Sequence, residues 1–482
     1  MKHFTLFLLL FFTVPLFAQD CGCAANFEWV RSTFEENDAG YQFVIDQKGE
    51  AAYAQHNKTF AAKIATITDA GECTQAITDW LAFFRSGHLS VRSLAKESSG
   101  ANTQQSNEDI MNSYKDWETV TVDLESFQQY LQQKETQDLE GIWVNGPYRI
   151  GIKKQGTGYV GFIIEADGVY WTEGQVKARI NEDHSATYYM RDHSPQDFKE
   201  ATLLGKKYLE MGFITLERVF PETEPEPEIA NYFKAISADD PYAEQLDDQT
   251  MYVRIPRFWG SEKRKIDSVL QANEALILAT PNLIIDLRNN GGGSDSSFQG
   301  LLPFLYTNPI RTVGVELLST PLNNQRMLDF INKEEYGFNE QGKKWAQESY
   351  DKLSERLGEF VSLNEYPISV DRMDTIYKYP ENIGIIINEN NGSTTEQFLL
   401  AAKQSKKVKL FGTTTAGVLD ISNMYFVPSP CGDLELGYSL SKSMRIPEMT
   451  IDDKGIQPDY YMDKEIKKYE WIPFVMEVLN EE

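Results

Sequence analysis

The sequence predicts a multidomain α+β chain built around an α/β core. Three patterns predict it. Residues 26–85 are rich in helix formers with apolar positions at helical spacing, residues 141–220 alternate apolar and polar positions between glycine turns, and from Met251 onward strand-like runs alternate with helical ones. That last order is the mark of a largely parallel sheet layered with helices. With 482 residues the chain is long enough for two or three domains.

Residues 2–18 have a basic start, an apolar run at 4–17 and Phe17-Ala18-Gln19, the layout of a secretory signal peptide cleaved near Ala18. This predicts an exported protein, periplasmic or secreted. The run is short for a membrane span and no later stretch approaches about twenty unbroken apolar residues, so an integral membrane protein is not expected. Asp20 before Cys21 does not resemble the small residue at a lipoprotein cleavage site.

Residues 19–95 form a helical region, with Phe60, Ile64 and Ile67, then Ile77, Leu81 and Phe84, at helical intervals. Gly87 ends it, and residues 89–91 suit a short strand. Residues 96–135 comprise a polar loop at 98–107, expected to be mobile, and a connecting helix at 124–134. Residues 136–220 predict an antiparallel, barrel-like β domain with strands at 159–164, 175–180 and 186–190. Gly156-Thr-Gly158-Tyr-Val-Gly161 matches a dinucleotide pattern by letters, but it lies in a hairpin and opens no helix, so it is not a cofactor site. Pro221-Glu-Thr-Glu-Pro225-Glu-Pro227-Glu228 reads as an extended acidic linker. Residues 229–482 form the last domain, with strands at 252–255, 283–287, 383–387 and 408–411 and helices at 263–279, 345–357 and 396–404.

A formal net charge of −26 without a basic stripe argues against a nucleic-acid partner. Cys21, Cys23, Cys73 and Cys431 lack zinc spacing. A disulfide from Cys21 or Cys23 to Cys73 or Cys431 suits an oxidising compartment, while free or partly paired thiols without a catalytic role are the plainer reading. No metal or other cofactor is expected, and oligomeric state is left open.

Two segments carry chemistry. In residues 282–293, Asn-Leu-Ile-Ile-Asp-Leu-Arg-Asn-Asn-Gly-Gly-Gly, a buried-strand pattern runs into a glycine turn whose exposed N–H groups can hold an anion. In residues 383–402 a second buried strand leads through Asn-Asn-Gly392 to Ser393 at the start of an apolar helix. There a hydroxyl lies beside free backbone donors and the positive end of a helix dipole, which suits a nucleophile. Ser393-Thr-Thr-Glu396 also fits a capping box, in which the serine only caps the helix.

Together these segments resemble the C-terminal-processing, or tail-specific, serine peptidase family. The resemblance rests on Tyr252-Val-Arg-Ile-Pro256-Arg-Phe258, Ile284-Ile-Asp286-Leu-Arg288 with its glycines, Gly392-Ser393-Thr-Thr-Glu396, Gly412-Thr-Thr-Thr-Ala-Gly417 and Gly455-Ile-Gln-Pro458-Asp459, in the family's order. It implies a ClpP/crotonase-like core, while no PDZ-like domain is apparent and the β domain matches nothing familiar. In the bacterial branch the base is a lysine after the Gly-x-Thr-x-Gly turn; here that position is Val418, and Lys403 is better read as a solvated residue. The tricorn-like branch takes a histidine from the N-terminal helical region, which makes His88 the expected base; His56, His184 and His193 are expected to be structural. That branch also implies an acidic residue before the Gly-Ile-x-Pro-Asp turn, and Asp452 is preferred over Asp453. It departs from the family's glutamate, as Gly87 departs from the usual serine.

The resemblance implies peptide-bond hydrolysis through a Ser393 acyl-enzyme, with His88 as general base and an oxyanion hole formed by the backbone N–H groups of Gly291 or Gly292 and of Thr394. The expected partner is a peptide or unfolded protein bound as an added strand at a sheet edge. The second reading is a catalytically degenerate member that binds peptides or an apolar ligand. Val418 and Asp452 favour it; Ser393 and His88 oppose it.

Overall fold

The computed structural model describes residues 21–94 and 107–481. The expected signal peptide and nearly all of the expected loop at 98–107 lie outside them. The chain is a multidomain α+β protein of two compact units. Of the described residues, one contains 21–94 and 240–461, the other 107–239 and 462–481.

The first unit holds a six-stranded sheet in the order 242–245, 250–254, 282–286, 382–387, 408–412, 460–461. Its first pairing is antiparallel and the rest are parallel, with Leu283 aligned to Met251 and Ile383. Asn282–Asp286 is fully buried, and the side chains of Leu283 and Ile285 pack with Ile383, Ile385 and Phe398 in one apolar core. This continuous burial on both faces explains why these strands read as unbroken apolar runs.

An antiparallel sheet completes this unit, in which Leu434–Ser443 pairs with Ser90–Ser93, Val315–Leu318 and Ile421–Pro428. Its face packs against the N-terminal helices Cys23–Asn37 and Ala70–Leu81. Phe27, Phe34, Trp80 and Phe84 share one core with Tyr425, Leu436, Tyr438 and Leu440. The N-terminal helical region expected as a separate domain therefore has no core of its own: its aromatic face is completed by strands from the far end of the chain. The Cys21–Cys431 disulfide fastens the same junction, and Cys23–Cys73 ties two of its helices together.

The second unit carries a nine-stranded antiparallel sheet. The sheet curls until Phe198, on one edge strand, meets Phe213, with ring centroids 5.4 Å apart. No ladder among the described residues joins its two edge strands, Pro195–Phe198 and Thr202–Leu204. The expected linker at 221–228 does not separate domains here. Pro227 opens the helix Pro227–Ile236, whose Ile229, Tyr232 and Phe233 pack with Leu204, Tyr208 and Tyr469. Proline suits that first helical position, because its missing N–H would have no partner there. The C-terminal helix Trp471–Glu481 belongs to this unit as well, although residues 229–482 were expected to form one domain.

Candidate active site

The two glycine turns are joined by their asparagines. Asn289 N–H donates to Asn388 Oδ1 at 2.9 Å, and the Asn388 and Asn390 amides donate back to Asn289 Oδ1 at 2.8 and 2.9 Å. Asn391 Nδ2 and Thr395 Oγ1 both donate to the Asn290 carbonyl. Matched Asn-Asn pairs just before the glycines of both motifs were the sequence signal for this clasp, which the strand and turn patterns do not reveal.

Beneath the first turn, Asp286 is fully buried and accepts from Tyr252 and Arg288, while Arg254 donates to the carbonyls of Asp286 and Arg288. Burial alone would raise this carboxyl, but Arg288 and Arg254 outweigh it and hold it at about 2. A fixed strand end thus presents the glycines.

Gly292, with φ +102°, lies against the serine turn: a Cβ on it would fall 2.8 Å from Thr394 N and 2.9 Å from Ser393 Cβ. Only glycine permits that approach. The expectation that Gly292 offers its amide to an oxyanion is corrected here, since its N–H donates to Asn290 Oδ1 at 3.0 Å. Gly291 is exposed and does not line the cleft. Gly293 and Thr394 do line it, and neither N–H has a partner among the described residues.

Ser393 has φ 55° and ψ −124°, a backbone conformation costly for any residue with a Cβ. Its N–H donates to the Val418 carbonyl at 3.1 Å and its side chain caps nothing. The capping box is absent because Glu396 turns away. That buried carboxylate accepts from Thr415 Oγ1 at 2.5 Å, Gly417 N–H at 2.7 Å and Val418 N–H at 2.8 Å. Burial pushes it above the usual carboxylate range against the pull of these bonds.

His88 also has positive φ, 54°. Its Nδ1 lies 2.7 Å from the Ile421 carbonyl, which can only accept, so Nδ1 carries the proton and Nε2 keeps its lone pair. Burial pushes the imidazole below its ordinary value despite this bond. Arg85 braces the turn. It donates to the Gly87 and His88 carbonyls and pairs with Asp38 at 2.8 and 2.5 Å, with Asp38 completely buried. His88 and Ser393 line one cleft of 700 Å³, without a direct hydrogen bond between them.

Val418 sits behind both residues. Added Cβ atoms on Gly87 and Gly392 would fall 2.3 and 2.6 Å from its methyl groups. Asp452 does not touch His88; it accepts from the N–H groups of Leu419, Asp420 and Ile421 and so fixes the segment whose carbonyl holds the imidazole. The Asp453 carboxylate accepts from Ser86 Oγ at 3.3 Å. Lys403 caps the end of the serine helix and does not line the cleft. His56 and His193 stack among aromatic rings, and neither they nor His184 line the cleft.

Among the described residues no cluster of three or more His, Cys, Asp or Glu is placed to hold a metal, and no helix is long and apolar enough to cross a membrane.

Residues 249–462 match the model of peptidase family S41. No curated protein matches the chain. Among solved structures, mature CPAF superposes with a TM-score of 0.51 at 14% identity, covering 95% of each chain. Mature CPAF complexed with lactacystin gives 0.52 at 14% identity over 95% of this chain and 97% of that one. A CPAF mutant gives 0.53 at 13% identity over 95% and 96%. These likenesses establish a shared fold across nearly the whole chain, including the β sheet of the second unit.

Proposed function

We propose that this chain, whose residues 249–462 match peptidase family S41, is a serine-type peptidase that cleaves peptide bonds through an acyl-enzyme on Ser393 with His88 as general base. The observation that carries this reading is the fixed tautomer of His88: the Ile421 carbonyl holds Nδ1–H, leaving Nε2 as acceptor in the cleft that Ser393 lines. His88 takes the serine proton as Oγ attacks the peptide carbonyl, then delivers it to the departing amine; a water reverses the sequence to free Ser393. The N–H groups of Gly293 and Thr394 hold the tetrahedral oxyanion, a role in which one lost donor typically costs about 2–4 kcal/mol of barrier. Asp452 is a positioning residue, acting on His88 through residues 419–421.

The peptide lies along residues 312–315 and 422–424 of the cleft wall. Simple strand addition at residues 423–424 is limited, because Arg326 Nη1 already donates to the carbonyls of Asn423 and Met424 at 2.9 and 2.8 Å. Export of the protein is part of the same proposal, supported by the leader-like residues 2–18 and by two disulfides.

The missing hydrogen bond between Ser393 and His88 favours the second reading, a binding module that has lost catalysis. Purified mature protein, Ser393→Ala and His88→Ala are to be compared on unstructured peptides. Cleavage by the wild type alone is expected. Equal cleavage by all three removes the mechanism, and retained binding without cleavage by any of them establishes the module.

A further inference from the structure

Beside the catalytic cleft lies a second recess of 310 Å³, walled by Leu317, Met327, Phe330, Phe338, Trp345 and Leu363. The two cavities adjoin, with Val315, Arg326, Phe330, Asn364 and Asn423 lining both. The recess is built on the helices Pro321–Asn332 and Glu340–Ser354, which lie between the glycine loop and Ser393 in sequence and contribute no reacting group.

Its floor is set by packing: Met327, Leu353 and Val361 form a small core with Leu317, Phe330 and Leu363 against it. Its wall is a run of rings, Phe330 stacked on Phe338 at 4.6 Å and Phe338 facing Trp345 at 6.3 Å. Trp345 remains 44% exposed. Leaving so large an apolar surface in water is unfavourable unless an apolar group covers it.

Resting on the peptidase reading, we propose that this recess receives one large apolar side chain, aromatic or leucine-like, of the substrate peptide and sets the specificity of cleavage. The occupant follows from the shared boundary with the cleft: a peptide threaded past Ser393 passes Val315 and Asn423, which line both cavities, and can turn one side chain toward the aromatic wall. Arg326 fixes the mouth. Its Nη1 is spent on the two carbonyls of the neighbouring strand and its guanidinium lies 5.3 Å from the Phe330 ring centre, so its position is held from both sides. Nε and Nη2, unpaired among the described residues, are available to a substrate carbonyl. The donors lining the recess are the Trp345 indole, the Asn364 and Asn423 amides and the Arg326 guanidinium, so its apolar wall of Leu317, Met327, Phe330, Phe338 and Leu363 offers an acidic side chain no partner.

The test uses the full mature protein and a peptide series identical except at one residue beside the cleavage site, carrying Phe, Leu, Ala or Glu. For the wild type, kcat/KM for Phe and Leu peptides is expected to exceed that for Ala by about tenfold or more, the usual scale for apolar pocket discrimination. Trp345→Ala and Phe338→Ala should each reduce this ratio severalfold, while labelling of Ser393 by a small fluorophosphonate stays unchanged. A ratio below about twofold at every position scanned, or one that both variants leave intact, overturns the proposal. Absent labelling and absent cleavage would instead defeat the peptidase reading. In that case equilibrium binding of the same peptides decides: a Phe preference lost in Trp345→Ala upholds the recess, and equal binding of all four peptides rejects it.

Discussion

Val418 and Gly87 are each understood only with the other. The valine methyl groups fill the space where a side chain at 87 would begin, so the glycine preceding the histidine is required by the valine behind it. Gly87→Ser is therefore expected to lower kcat/KM and stability together, at the scale of about 1–3 kcal/mol typical of overpacking. Val418→Ala should restore much of the loss in the double variant. Additive effects, measured by thermal melts and peptide kinetics in a double-mutant cycle, would reject the coupling. His88 makes a second prediction at this scale. Because burial lowers its pKa, it remains a neutral base into more acidic solution, so the acid limb of kcat/KM should lie below pH 6.5. A limb at or above 6.5 means either that His88 is not the titrating base or that its burial is not retained in solution.

At the scale of elements, the β sheet of the second unit contains a cationic cluster with its own pH response. Lys177 is buried with its ammonium 3.8 Å from the Trp171 ring centre and 4.1 Å from that of Tyr148, and burial lowers it to about 7. The ring faces favour the charged form and oppose that shift. His193 lies between the rings of Tyr114 and Trp171, each at 3.8 Å, with neither ring nitrogen hydrogen-bonded; burial first and Lys177 second lower it to about 4. Asp167 and Asp192 are the acidic groups that oppose these shifts. Since the folded His193 value lies below the unfolded one, the unfolded chain takes the proton first. The unit should thus lose stability as pH falls from about 6.5 toward 4. His193→Phe, which keeps the stack, should flatten that dependence in urea melts of this unit's transition. An unchanged slope would rule it out. Asp286 acts in a separate window, its contribution being lost only as pH falls from the ordinary aspartate range toward about 2.

Much of the element pattern was readable beforehand, because local periodicity reports burial. The strands at 282–286 and 382–387 and the helix at 263–277 lie within a residue or two of their expected positions. Partnership was less readable. Glu396, at capping-box spacing from Ser393, instead holds residues 415–418, and Asp452, chosen for the histidine, holds residues 419–421. In both cases a carboxylate three or more bonds long can serve any amide that the fold brings near, and spacing cannot say which.

Across the whole molecule, division into units follows contact rather than chain order. Residues 23–93 complete a core with 421–443, and the C-terminal helix leaves the peptidase unit for the other. Cys21–Cys431 spans the first of these junctions across 410 residues of sequence, while Cys23–Cys73, 50 residues apart, ties the N-terminal helices to each other. Loss of a native disulfide commonly costs about 2–5 kcal/mol. Reduction, or Cys21→Ser with Cys431→Ser, should lower the melting temperature and loosen His88, seen as a fall in both kcat and the rate of Ser393 labelling. Identical melts with and without reductant would show the bridges to be absent or idle.

By itself the sequence determined the strand and turn on either side of the glycine loop, the serine at a strand-to-helix junction and the histidine after a helix. Each is a short-range pattern in which neighbouring residues fix backbone conformation and burial. Tertiary structure alone decided that Gly293 rather than Gly292 keeps a free amide in the cleft, that Glu396 leaves Ser393 uncapped, and that Val418 requires Gly87. These outcomes depend on which of several equivalent donors, acceptors and spaces meet when segments hundreds of residues apart pack together.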